Sequence, residues 1–138
     1  MRLSRALLLG EAWAALMATR LMMALPYRVW RGLLMEMMAE RGDSPLSDGT
    51  RSVVWAVAQA RRAAPGTTCL TRALAAGWML RRRGQRARLA IGARTAEGKL
   101  EAHAWLELGG AVIIGGEADV GRYVRLGGVG HVERVQFR

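Results

Sequence analysis

Cysteine is almost absent from this sequence, because the 138 residues contain only one, Cys69. A single cysteine cannot form an internal disulfide, so nothing indicates an oxidising compartment and we expect a cytoplasmic protein with a reduced thiol. The sequence also lacks a metal-ligand cluster of cysteine and histidine and a phosphate-binding glycine loop. It therefore implies no metal and no cofactor.

Lysine is nearly absent as well, and Lys99 is the only one in the chain. The net charge of +10, from 21 basic and 11 acidic residues, is therefore carried by arginine. The arginines are scattered apart from the run Arg81–Arg83, and no aromatic-rich basic strand typical of a nucleic-acid module is present. We interpret the charge as solubility and attraction for an acidic partner or peptide, with no nucleic-acid partner, although a basic nucleic-acid-binding domain is a rival interpretation.

An uninterrupted apolar run of the length that crosses a membrane, roughly 20 residues, is also missing. Residues 1–42 are apolar and rich in methionine, but Glu11, Arg20 and Arg28 interrupt them and Pro26 divides them. The pattern predicts two helices and no transmembrane span, and it leaves open a membrane-surface or partner-docking role for the methionine-rich face. Two apolar stripes are expected to face a core: Leu9, Trp13, Leu16 and Met17, then Trp30, Leu33, Leu34 and Met37.

The single cysteine follows a Pro-Gly turn in the stretch PGTTCLTRAL. Thr68 is expected to be the N-cap of a helix that ends at Gly84, which places Cys69 in the first turn. A buried cysteine usually lies inside an element, whereas a helix N-terminus favours a thiolate. The position of Cys69 is therefore typical of a reactive cysteine.

The hydrophobic period changes along the chain from helical to extended. Ser47 or Asp48 can cap a further helix that runs to about Arg62, and strands are expected at 86–94, 100–108 and 111–116. Helices followed by an antiparallel meander define an α+β fold with the Cys69 helix packed on the sheet. We expect one domain, 1–138, with a helical N-terminal segment 1–42 and a core 43–138.

A nucleophile and a base for acyl transfer are both present. Cys69 supplies a thiol, and His103, one of two histidines, lies in mid-strand between alanines that leave its imidazole accessible. Cysteine peptidases need this pair together with a group that orients the imidazole. Taken alone, the pair is a weak signal, because a core cysteine and a hydrogen-bonded strand histidine are the more frequent case.

The residues around this pair resemble a known family. The segment CLTRALAAGWMLRRRGQRARLAIGAR, followed by EAHAWLELGGAVIIGG, is similar to the lasso-peptide leader peptidases, the stand-alone protease half of the lasso B proteins, within the transglutaminase-like cysteine protease superfamily. The similarity covers roughly Val53 to Leu126. It implies a papain- or transglutaminase-like fold and a peptidase that cuts the leader from a ribosomally made precursor.

The resemblance also implies roles and partners. It makes 43–138 the catalytic core, Cys69 the nucleophile and His103 the general base and acid. The implied partners are the precursor peptide, a leader-recognition protein and an ATP-dependent lasso cyclase. A non-catalytic member of the same fold, which holds the precursor for another protein, is the alternative.

The third catalytic residue is where the sequence departs from the superfamily pattern. Members often carry an aspartate at the position that Gly115 occupies here. If 108–110 is a three-residue loop, His103 pairs with Gly115 across the hairpin and Glu117 lies one pair further along the same face. We therefore expect Glu117 to orient the imidazole, with Asp119 as the alternative.

Overall fold

The computed structural model describes residues 2–116 and 123–126, with side chains from Arg5 onward. In this part of the chain four α-helices come first: α1 (Arg2–Met23), α2 (Tyr27–Ala39), α3 (Asp48–Ala60) and α4 (Cys69–Arg81). Four strands follow: β1 (Arg88–Ala96), β2 (Lys99–Leu108), β3 (Ala111–Ile114) and β4 (Val124–Leu126). The predicted α+β order is confirmed.

Two helices begin at the caps that the sequence indicates. Ser47 accepts a hydrogen bond from the N–H of Thr50 at 3.2 Å, while the Thr50 hydroxyl accepts one from the N–H of Ser47 at 3.1 Å. Thr68 accepts a bond from an N–H of the first turn of α4, also at 3.2 Å. These bonds satisfy N–H groups that have no partner inside the helix, so Cys69 is fixed as the first residue of α4.

The sheet is antiparallel, with the strand order β3-β2-β1-β4. β1 pairs with β2 from Arg88↔Glu107 to Ala96↔Lys99, and β4 pairs with the other side of β1. The sequence pattern missed β4, because three residues among glycines carry too little alternation to predict a strand. The expected meander therefore accounts for β1, β2 and β3 only.

The turn between β2 and β3 is shorter than predicted. Leu108 pairs with Ala111, so the turn consists of Gly109 and Gly110 alone, with φ of 59° and 79°. Tight two-residue hairpin turns favour glycine because their central residues adopt positive φ. The predicted three-residue loop is wrong.

A β-bulge changes the register further along this hairpin. Glu107 pairs with Val112 and Leu106 with Ile114, which leaves Ile113 as an extra residue in β3. The predicted pairing of His103 with Gly115 is therefore also wrong.

The helices cover one face of the sheet, and one hydrophobic core joins both layers. Its fully buried large side chains include Leu16, Met37, Val53, Val57, Leu74, Met79, Leu80, Leu89, Leu106 and Leu108. Burial of one such side chain contributes about 1.5–3 kcal/mol. Trp13, which was expected to face this core, is 45% exposed and donates its indole N–H to the carbonyl of Ala63.

Helix α1 is long and apolar enough to cross a membrane, judged by length and composition alone. It packs against α3 and α4 through Ala12, Ala15 and Leu16, which are at most 5% exposed. Most of the apolar stretch Arg5–Met23 is not buried in the described structure. The cytoplasmic location stays a prediction.

Candidate active site

Cys69 lies where α4 meets an open edge of the sheet. Its Sγ accepts a hydrogen bond from the N–H of Ala104 in β2 at 3.4 Å. The pairing of β3 with β2 ends at Leu106↔Ile114, so the thiol contacts β2 beyond the point where β3 has left it. The side chain is half-buried against the core.

Two sets of donors surround the sulfur. The first turn of α4 presents backbone N–H groups and the positive end of the helix dipole, and it contains no acidic residue. The N–H of Ala104 approaches from the sheet. Negative charge that develops on Sγ of Cys69 or on a bound acyl group is therefore met by backbone dipoles.

His103 is held by a backbone carbonyl. Its Nε2 lies 2.8 Å from the carbonyl oxygen of Gly115. Since a carbonyl only accepts, this network assigns the proton to Nε2 and leaves Nδ1 as the acceptor of a neutral ring. Trp105 and Tyr123 flank the imidazole, with ring centroids 6.0 Å and 5.6 Å away. The orientation and the tautomer of His103 are thus both defined.

Glycine at position 115 makes this contact possible. Gly115 has φ of 87°, and a Cβ added there would lie 2.8 Å from the carbonyl oxygen of Ala104 and 3.0 Å from Cβ of Trp105. A residue with a side chain does not fit without a shift of the backbone. Gly115 therefore offers the imidazole a backbone carbonyl as its hydrogen-bond acceptor.

Cys69 and His103 lie at the same edge without a direct bond. The N–H that meets Sγ belongs to Ala104, the residue directly after His103. Within residues 2–116 and 123–126, no hydrogen bond joins Sγ to the imidazole and none reaches Nδ1. The structure thus places the Cys69 thiol on β2 at the residue next to His103, whereas Glu117 and Asp119 lie outside the described residues.

Sequence reasoning missed the backbone groups of this site. The N–H of Ala104 and the carbonyl of Gly115 have no side-chain signature, and only the register of the hairpin shows where they point. The one signal at Gly115 was that the resemblance led us to expect an aspartate at this position.

A second polar cluster lies on the sheet face opposite the helices. Glu107 accepts a hydrogen bond from the indole N–H of Trp105 at 2.8 Å and forms an ion pair with Arg125, and all three are at most 9% exposed. The pair joins β2 to β4 across β1, so its role is structural. In the described part of the chain, no group of three or more His, Cys, Asp and Glu side chains is placed to hold a metal ion.

A family model described as the transglutaminase-like superfamily matches residues 13–127. The chain therefore belongs to the transglutaminase-like superfamily, which includes cysteine peptidases. No curated protein and no solved structure matches the chain. The predicted superfamily and the fold, with Cys69 at the start of a helix, are confirmed.

Proposed function

We propose that this chain is a cysteine peptidase that removes the leader from a ribosomally made lasso precursor peptide. The observation that supports a peptidase is that the helix-start thiol of Cys69 contacts β2 at Ala104, directly after His103, whose imidazole a backbone carbonyl holds. The resemblance of the segments around Cys69 and His103 to lasso leader peptidases supports the choice of substrate. A leader-recognition protein and an ATP-dependent cyclase are the proposed partners.

The proposed reaction uses the free nitrogen of His103. Sγ of Cys69 attacks the scissile carbonyl carbon while its proton passes to Nδ1, and the oxyanion accepts a hydrogen bond from the N–H of Cys69. Nδ1–H then protonates the leaving amine as the C–N bond breaks, which leaves the leader as a thioester. Water gives a proton to Nδ1 as it attacks the thioester, the C–S bond then breaks, the proton on Nδ1 returns to Sγ, and the leader leaves with a free carboxylate. The bond between Sγ and Nδ1 forms on substrate binding, as catalytic hydrogen bonds often tighten in the complex.

The Gly115 carbonyl is the proposed positioning group for the imidazole. Glu117 stays a prediction for the same role, and the variants Glu117→Gln and Asp119→Asn separate the candidates. A carboxylate that orients the ring gives a loss of roughly 10- to 100-fold in kcat when it is replaced by an amide. If both Glu117→Gln and Asp119→Asn keep the wild-type kcat, the carbonyl of Gly115 remains as the proposed orienting group.

The test is cleavage of a precursor peptide by the full-length chain, followed by mass spectrometry with and without the recognition protein. We expect Cys69→Ala, Cys69→Ser and His103→Gln each to lose at least about 1,000-fold in rate. Far-UV circular dichroism of each variant shows whether the fold is kept. The recognition protein should raise the wild-type rate by increasing the effective concentration of the leader.

One observation favours the non-catalytic alternative, a protein that binds the precursor for another enzyme. It is the lack of a hydrogen bond between Cys69 and His103 in the described structure. Saturable binding of the precursor without cleavage, in the presence of the recognition protein, would support it. The nucleic-acid interpretation gains nothing, because the run Arg81–Arg83 forms ion pairs with Glu11 and Glu36.

A further inference from the structure

A groove runs between α3 and the edge strand β3. It consists of two adjacent cavities of about 240 Å³ and about 290 Å³ that share Val54 and Ile113 as lining residues. The smaller cavity ends at Arg72, Gly115 and Gly116, and the larger one ends at Leu46, Arg51 and Trp55.

One end of the groove is continuous with the candidate active site. Gly115 lines the smaller cavity, and its carbonyl oxygen is the atom that holds His103. Arg72 lines the same cavity and lies one helical turn after Cys69 on α4. A chain that lies in the groove therefore leads to Gly115, whose carbonyl holds His103.

The lining of the groove suits an extended peptide. The walls are mostly aliphatic, and the β-bulge directs Ile113 toward α3, between the two cavities. In the described sheet β3 is the edge strand, so one side of its backbone faces no other strand. An edge of this kind binds a peptide by adding it as a further strand, with alternate side chains in pockets.

The far end of the groove carries a positive charge. Arg51 is exposed on α3, and no carboxylate among the described residues lies within ion-pair distance of it. An acidic residue of a bound peptide is the complementary group.

We propose that this groove binds the substrate peptide as an extended strand beside β3, with aliphatic side chains in the two cavities and an acidic residue beside Arg51. The inference rests on the proposed function and adds the class of substrate: an extended, aliphatic segment with an acidic residue at a distance from the cut.

The first test measures binding without catalysis. Cys69→Ala removes the only cysteine, so the double variant Cys69→Ala/Ala58→Cys carries one thiol, at an exposed position that lines the smaller cavity, for an environment-sensitive fluorophore. The matched control is Cys69→Ala/Ser52→Cys, labelled at an exposed position of α3 that lines neither cavity. The probes are two pools of acetylated hexapeptides with Val, Ile, Leu and Thr in the centre, one with Glu at both ends and one with Lys.

We expect a saturable blue shift with the Glu pool for the label in the groove and none for the control label. The Lys pool should bind up to about fivefold more weakly, since an exposed charge pair contributes up to about 1 kcal/mol. Arg51→Glu should reverse this preference, whereas Arg62→Glu, which changes the net charge equally outside the groove, should not. No saturable shift, or equal shifts for both labels, overturns the inference. A shift that depends on protein concentration alone also overturns it, because the groove then binds a second copy of the chain.

The second test separates this inference from the proposed function. Ala58→Phe fills the smaller cavity and should raise KM for the precursor at least about tenfold, while Ser52→Phe should leave KM unchanged. If the wild-type chain cleaves and Ala58→Phe cleaves with the same KM, the groove inference fails and the peptidase stands. If the groove label responds but the wild-type chain cleaves no precursor, the peptidase fails and the groove stands.

Discussion

The two ends of α4 are held in different ways. At the N-terminal end, Thr68 and Cys69 make uncharged hydrogen bonds, to the first turn and to the N–H of Ala104. At the C-terminal end, three consecutive arginines form ion pairs: Arg83 and Arg82 with Glu11 of α1, and Arg81 with Glu36 of α2 and with Glu40 directly after α2. The C-terminal end of the helix is thus anchored by charge, whereas the bonds of Thr68 and Cys69 at the other end are between neutral groups.

This difference matches the electrostatics of the helix. Arginines near the C-terminus complement the negative end of the dipole, and their carboxylate partners fix α4 to its neighbours. The N-terminal end keeps its positive potential for Cys69, because no carboxylate in the first turn neutralises it. A helix anchored at one end can therefore present a fixed reactive group at the other.

The largest effect on stability is expected from Gly115→Ala, beside the N-terminal end. Positive φ and the contact of the new Cβ with Ala104 together should lower the free energy of unfolding by about 2–4 kcal/mol, measured by urea denaturation. Gly110→Ala is the matched control, because Gly110 has φ of 79° and open space around the added Cβ. Its loss should be only about 1–2 kcal/mol. Equal losses for the two variants would show that the close approach of β3 to Ala104 contributes nothing.

A smaller loss of stability is expected when the N-cap of α4 is removed. Thr68→Ala removes the acceptor for the first-turn N–H and should lower the free energy of unfolding by about 1 kcal/mol. Because the bond is uncharged, the loss should be the same at low and high salt. Thr67→Ala, one residue outside the cap, should change stability by less than about 0.5 kcal/mol. A salt-dependent loss for Thr68→Ala would contradict the neutral character of this end.

The smallest loss of stability is expected when an ion pair at the C-terminal end of α4 is removed. The hydrogen bond from Arg83, together with its charge and that of Arg82, lowers the pKa of Glu11 against a smaller opposing effect of burial. Glu11→Gln should cost under about 1 kcal/mol at pH 7 and less in 1 M salt.

The same lowered pKa gives the sign of the pH dependence. The stabilisation by Glu11 is complete above the ordinary pKa of a glutamate, about 4.3, and is lost as pH falls through the lowered value of the folded state. The difference in stability between wild type and Glu11→Gln should therefore shrink below about pH 4. A difference that stays constant from pH 7 to pH 3 would show that Glu11 acts through packing instead of charge.

Local signals made most of the fold predictable. Ser47 and Thr68 mark helix starts and Gly84 marks a helix end, because local hydrogen bonds and backbone conformation decide these positions. Gly84 has a φ of 77°, which is typical of the residue after a helix. The bulge at Ile113 and the strand β4 could not be predicted, because tertiary packing decides both. Trp13 shows the same limit, since a polar contact with Ala63 outweighs its place in the apolar stripe.

The candidate site was predictable only in its side chains. Cys69 and His103 stand out by residue type and position, whereas the groups that contact them, the N–H of Ala104 and the carbonyl of Gly115, belong to the backbone. Their positions follow from a register that two glycines and one extra residue set. The carboxylates Glu117 and Asp119 lie beyond the described residues and remain predictions.

The central claim is that Cys69 is the nucleophile, and a single-turnover experiment tests it most directly. The full-length chain is mixed with a precursor peptide and the recognition protein, and the reaction is quenched in acid within the first turnover. The mass of the intact protein is then measured by mass spectrometry. The account predicts a transient species heavier by the leader minus one water, located on the peptide that contains Cys69, removed by hydroxylamine and absent from Cys69→Ala. Leader removal by Cys69→Ala at the wild-type rate, with no such species in either protein, would contradict it.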